Sequence, residues 1–218
     1  MSHTPENHRT TAQRLAGSPW SWVALVLVVI GGVFASTFHR AAPRAVPALW
    51  TLPDWALVDQ DGHPFGARDL RGRVYIANFV FTSCVLECPR LTHEMSHLAP
   101  QVARYGERVH LVSLSVDPSH DGPEQLRGYM ARYHADPRRW TFVTGPEEQV
   151  LAAITGGFRV GVEIPARGPD GSFNPAELAH TNRFALVDTR GRLRGTYLAE
   201  PDGIQQLIDD LAVVVAER

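Results

Sequence analysis

Two nearly uninterrupted apolar runs, Val74 to Phe81 and Val109 to Val116, constrain the fold of this chain more than any other feature. A strand that faces water on one side alternates apolar and polar residues. VYIANFVF and VHLVSLSV do not alternate, so they suit strands covered on both faces. The stretches after them predict helices, from Pro89 to about Tyr105 and from about Pro123 to Tyr133. A short strand over Trp140 to Val143 and a helix from about Pro146 to Ile154 continue the alternation. Ahead of the first run, WALVDQDGHPF reads as a hairpin turning at Asp61-Gly62, and Leu70-Arg71-Gly72 closes a second turn. Residues 161 to 179 carry Pro165, Pro169 and Pro175 and read as a long loop. Strands at Arg183 to Val187 and Leu193 to Leu198 follow, joined through Asp188-Thr189-Arg190-Gly191. The last helix, Asp202 to about Ala216, puts Ile204, Leu207, Ile208 and Leu211 on one stripe. The class is α/β, a central mixed sheet with helices on both faces.

The N-terminal part is different. The nineteen residues from Trp20 to Phe38 contain no charge, and at 1.5 Å per residue they cross a hydrocarbon core of about 30 Å. Trp20 and Trp22 sit at one end, where indoles favour the interface. The expectation is a transmembrane anchor over residues 20–38 with a cytoplasmic tail, 1–19, before it. Arg9 and Arg14 precede the span and Arg40 and Arg44 follow it, so the positive-inside rule does not choose an orientation. A cleaved signal peptide is the alternative, with Val33-Phe34-Ala35 as its processing site. Either way the rest is expected to be exported: a tether over 39–52, then one globular domain over 53–218. The formal net charge of −2 shows no basic excess, which argues against a nucleic-acid partner.

The chain has only two cysteines, Cys84 and Cys88, placed where the first apolar run passes into a helix. If the segment is helical, Cβ atoms four residues apart lie roughly 5 to 6 Å from each other. Two thiolates at that separation can grip one ion, or close a disulfide after a small local adjustment. The missing N–H of Pro89 is harmless in a first helical turn, so the helix is expected to begin there, with both cysteines on the turn leading into it. A structural staple across so short a loop would add little stability, because the loop entropy it removes grows with loop length. Sulfur chemistry or metal binding is the better reading.

Four stretches, LVDQDGHPF, LRGRVYIANFVFTSCVLECP, SLSVDPSHDGPEQLRGY and AHTNRFALVDTRGRLRGTY, resemble the SCO/SenC family of membrane-anchored copper proteins that assist assembly of the dinuclear copper centre of cytochrome c oxidase. The resemblance covers about Pro53 to Val215. It implies a thioredoxin-like sheet preceded by one transmembrane helix, in the bacterial inner membrane with the domain facing the periplasm. It also implies a copper site of Cys84, Cys88 and His180, with Asp117 and Asp121 in the acidic positions after the second long strand, where they tune the site or dock a partner. The implied partner is the copper-binding subunit II of the oxidase, and another exported copper chaperone or a thioredoxin-like reductant would also fit. Two thiolates favour Cu(I), and an imidazole accommodates Cu(II) as well. The family commonly has proline after the first cysteine. Here Val85 stands there, and Glu87 sets a carboxylate beside Cys88, which bears on affinity and potential but leaves the ligands in place.

Two functions remain open at this stage. One is a metallochaperone that performs no turnover. The other is a thiol–disulfide reductase in which Cys84 attacks and Cys88 resolves, keeping the partner's copper-binding cysteines reduced. A peroxidase-like or copper-sensing protein is a weaker third reading, since a scaffold does not fix a function. His180 separates the first two, because disulfide exchange needs no distant imidazole. His93 and His97, four residues apart after Cys88, are weighed as accessory ligands. Asp117 is equally readable as a loop carboxylate bonded to backbone N–H groups.

Overall fold

The computed structural model describes residues 20, 22–23, 25–30, 45–80, 82–83, 87–159 and 182–217. The chain divides into two units, 1–44 and 45–218. In the first, the described residues between 20 and 30 are helical, and their large apolar side chains, Trp20 and Leu27 among them, are exposed. Among the described residues no helix is long and apolar enough to cross a membrane.

The second unit is built on the two apolar runs. They form β4 (Val74–Val80) and β5 (Val109–Ser115), every residue of both buried. The two strands pair in parallel through seven consecutive residue pairs, from Val74 with Val109 to Val80 with Ser115. Around them run β1 (Trp50–Thr51), β2 (Ala56–Asp59), β3 (Pro64–Gly66), β6 (Trp140–Thr144), β7 (Arg183–Val187) and β8 (Arg192–Leu198). The eight-stranded sheet has the order β1-β8-β7-β4-β5-β6-β2-β3. Only β4, β5 and β6 run parallel, and the other pairings are antiparallel. This is the mixed sheet expected of the sequence.

Side chains alternate between the faces of a strand, and β4 sorts its residues accordingly. Val74, Ile76 and Val80 join the core under helices α1 (Glu87–Ala103), α2 (Pro123–Arg132) and α4 (Pro201–Ala216), with Met95, Leu98, Leu126, Phe142 and Leu211. Tyr75, Ala77 and Phe79 face the opposite core with Val112, Leu114, Val150 and Phe158, covered by α3 (Glu147–Leu151) and the π-helical turn that continues it, Ala152–Phe158. A regular helix was expected here through Ile154. Instead the hydroxyl of Thr155 donates to the carbonyl of Leu151 at 2.8 Å, taking the acceptor that an α-helix would offer to the Thr155 N–H.

Both expected hairpins form, and by the same device. At the end of β2, Asp59 Oδ1 accepts the N–H groups of Asp61 and His63. At the end of β7, Asp188 Oδ1 accepts those of Arg190 and Arg192. Each turn then needs a residue at positive φ, supplied by Gly62 at 81° and Gly191 at 75°.

The stretch read as a tether, 39–52, is corrected in its second part. Trp50 and Thr51 pair with β8, Leu49 donates its N–H to the carbonyl of Leu193, and Val46 and Leu52 are buried. The cause is a buried arginine. Arg194 on β8 donates to the carbonyl of Val46 and to both oxygens of Glu217, and reaches Asp188 at 3.2 Å, so it fastens the incoming chain and the end of α4 to one strand. A two-residue strand carries too little pattern to be seen in sequence.

His110, inside β5, is buried and bonded through Nε2 to Thr141 Oγ1 at 2.8 Å. Burial, with a smaller contribution from the charge of Arg73, pushes its imidazole down to about 4. The ring is therefore neutral in the fold, whereas in the unfolded chain it takes up a proton near pH 6.5. The unfolded state binds more protons between those values, so this contribution is fully present above about pH 6.5 and is lost as pH falls towards 4, amounting to about 3 kcal/mol at most. His110→Gln, which keeps a partner for Thr141, should lose less stability than wild type between pH 7 and pH 4.5, as measured by urea unfolding at each pH.

Candidate metal centre

Strands β4 and β5 are parallel, so both end at the same edge of the molecule, and the candidate site grows from those ends. The N–H of Val116 bonds the carbonyl of Val80 at 2.8 Å, the last rung of the ladder. Beyond it the two chains are joined by the carboxylate of Asp121, which is completely buried. Asp121 accepts the Thr82 N–H at 3.1 Å to each oxygen, the Thr82 hydroxyl at 2.5 Å and the Ser115 hydroxyl at 2.7 Å. Ser115 Oγ in turn accepts the Asp117 N–H at 3.1 Å. Burial raises the Asp121 carboxyl above the usual carboxylate range, while the bonds from Thr82 and Ser115 hold it down in part. Thr82 stands two residues before Cys84, so this one side chain sets the point from which the cysteine segment departs.

Asp117 has a different environment. Its carbonyl accepts the N–H groups of His120 and Asp121, while its nearly buried carboxylate takes the Ser119 hydroxyl at 2.6 Å and His120 Nδ1 at 2.9 Å. Of the two readings left open for Asp117, backbone N–H groups as partners is not the one seen: the carboxylate bonds two side chains. His120 is exposed, and the Asp117 carboxylate bonded to it raises the imidazole above its ordinary value, helped by Coulomb attraction. His120 and Thr82 were missed in sequence. The only available signal was the DPSHD spacing, which sets Asp117 and His120 three residues apart.

Helix α1 begins at Glu87, two residues before the expected start, so Cys88 lies in its first turn rather than on the approach to it. Pro89 does not oppose this, because N–H groups in a first turn have no intrahelical partner to lose. Cys84 and His180 lie outside the described residues, as does the loop 161–179. The described chain does fix where the two segments leave and return. Ser83, which precedes Cys84, stands beyond the end of β4, and Asn182, two residues after His180, stands just before β7. Because β7 runs antiparallel to β4, with Ala77 opposite Ala185, the start of β7 and the end of β4 lie at the same edge of the sheet.

Two other clusters of potential ligands are resolved. His93 and His97 are exposed on α1 with their Nε2 atoms 2.9 Å apart. Asp59, Asp61 and His63 gather at the β2–β3 turn, but the Asp59 carboxylate already caps the turn, and Asp61 is engaged by Gln60 and Arg127. That cluster is accounted for by the hairpin.

Comparison with known proteins agrees with this architecture. A Stutzerimonas stutzeri protein named for copper binding is 32% identical over 170 residues, covering 76% of this chain and 79% of its own. The crystal structure of a SCO1/SenC family lipoprotein from Bacillus anthracis superposes with a TM-score of 0.67 at 29% identity, over 79% of this chain and 99% of that one. The structure of BsSco, described as a member of the Sco family of cytochrome c oxidase assembly proteins, gives 0.66 at 25% identity, over 80% and 99%. The SCO1/SenC family model matches residues 47–216, from just before β1 to the end of α4. The protein belongs to the SCO1/SenC family.

Proposed function

We propose that this protein is a membrane-anchored metallochaperone that binds copper through Cys84, Cys88 and His180 and passes it to the dinuclear copper centre of cytochrome c oxidase. The observation that carries this reading is the shared sheet edge. Ser83, which precedes Cys84, stands at the end of β4, and Asn182, two residues after His180, stands at the start of β7, so both flank the same edge of the sheet, with Cys88 in the first turn of α1. The donor chemistry fits. Two thiolates select Cu(I), the imidazole also tolerates Cu(II), and three ligands leave one side open for exchange with a receiving protein. The relatives named for copper binding and for oxidase assembly support the same cargo and destination.

In this reading the chain's own groups prepare the site. Asp121 anchors the start of the cysteine segment through Thr82 and Ser115. Asp117 and His120 form a polar pair beside the strand ends, a place where a partner can dock. Anchoring is supported by the uncharged stretch 20–38 and by the exposed apolar side chains of its described helical residues.

Three outcomes follow. Asp121→Ala leaves the Thr82 N–H and the two hydroxyls without their acceptor; thermal unfolding should show a loss of about 2–4 kcal/mol, and anaerobic titration should show weaker Cu(I) binding, with Asp121→Asn restoring part of both. His180→Ala should lose most of its copper transfer to the soluble domain of the oxidase subunit while still reducing a disulfide in that partner. Full transfer by this variant would contradict the chaperone mechanism and favour the reductase. A reporter fused after Val215 should be active in the periplasm; activity confined to the cytoplasm would reverse the proposed orientation.

A further inference from the structure

We infer that His93 and His97 form a second metal site, separate from the thiol centre, that takes divalent copper. Four residues apart on α1, they stand on one face of the helix, and both side chains are exposed. Their Nε2 atoms approach to 2.9 Å, with the rings edge to face at 4.3 Å between centroids. With no ion present, that approach is one imidazole N–H donating to the other ring. An ion is taken up when that proton moves to Nδ1 and both rings rotate so that the two Nε2 lone pairs converge on it.

Spacing and ligand type select the ion. Imidazoles four residues apart on one helix face can reach one ion in cis positions, and among divalent first-row metals copper binds nitrogen ligands most tightly. Water completes the coordination. His97 borders an open cavity of about 490 Å³ whose wall also includes Ser96, His134 and Asp136, so there is space for it.

Helix register keeps this pair away from Cys88. Residue 93 is turned by about 140° from residue 88 and residue 97 by about 180°, and they stand roughly 7 and 13 Å further along the axis. At that offset along the helix the pair stands as a site of its own. The side chains around the pair hold it in register: Ser96 Oγ donates to the carbonyl of His93, and Gln101 Nε2 to that of His97.

The test uses the full-length chain in detergent with both cysteines alkylated, so that the thiol centre is silent and failure of the proposed chaperone function does not bear on the result. Titration with CuSO₄ alone should show one Cu²⁺ per chain, and its electron paramagnetic resonance spectrum should be tetragonal with hyperfine splitting from two imidazole nitrogens. His93→Gln and His97→Gln should each weaken binding at least tenfold without changing the unfolding temperature of the metal-free protein. Zn²⁺ should compete poorly. Unchanged Cu²⁺ affinity in the double variant, or loss of the signal in His180→Gln instead, would overturn the inference.

Discussion

Seven consecutive parallel pairs between β4 and β5 are the constraint on which the rest of the structure depends. Two strands covered on both faces cannot shift register by one residue without exchanging their entire core complements. Val80 and Ser115 therefore finish side by side. Because the pairing is parallel, the loops that follow both strands emerge at the same edge, the place where α/β sheets build their sites. An antiparallel partner at β5 would have sent the Asp117–Asp121 loop to the far side of the molecule.

Within that edge, two carboxylates four residues apart have been given different work by their surroundings. Asp121 is wholly buried and spends its acceptor capacity on Thr82 and Ser115, so it behaves as a rivet between loops. Asp117 points its oxygens at Ser119 and at an exposed imidazole, so it keeps a link with solvent. The division follows from depth. A carboxylate without water must have its lone pairs filled by the protein, whereas one near the surface can share a titrating partner.

Much of the fold was legible because its elements announce themselves through apolar runs and turn chemistry. β4, β5, β6 and β7 were readable from apolar composition, and the two hairpins from Asp-Gly and from Asp188 to Gly191. The order of strands was not, since nothing local tells β7 to lie beside β4. β1 escaped notice because two residues cannot show a period, and its place is decided by Arg194, far along the chain. α1 starts two residues ahead of Pro89, because a proline fits anywhere in a first turn. Asp117 and Asp121 were singled out by resemblance to a family, but their partners were not. Thr82 and Ser115 look like ordinary strand-end residues until a buried carboxylate is seen between them. His93 and His97 were visible as a spacing, and helix register sets them further along α1 and on another side of it from residue 88.

The clamp around Arg194 also determines where mechanical load enters the domain. A pull on the chain ahead of Val46 is met first by the guanidinium that grips the Val46 carbonyl, and that same group is braced by Glu217 at the end of α4 and by Asp188. The load then passes into β1 and β8, at the edge of the sheet. To reach β4 it must cross two antiparallel interfaces, β8 with β7 and β7 with β4. Thr82, at the end of β4, thus stands two interfaces away from the point at which the chain enters the domain at Val46.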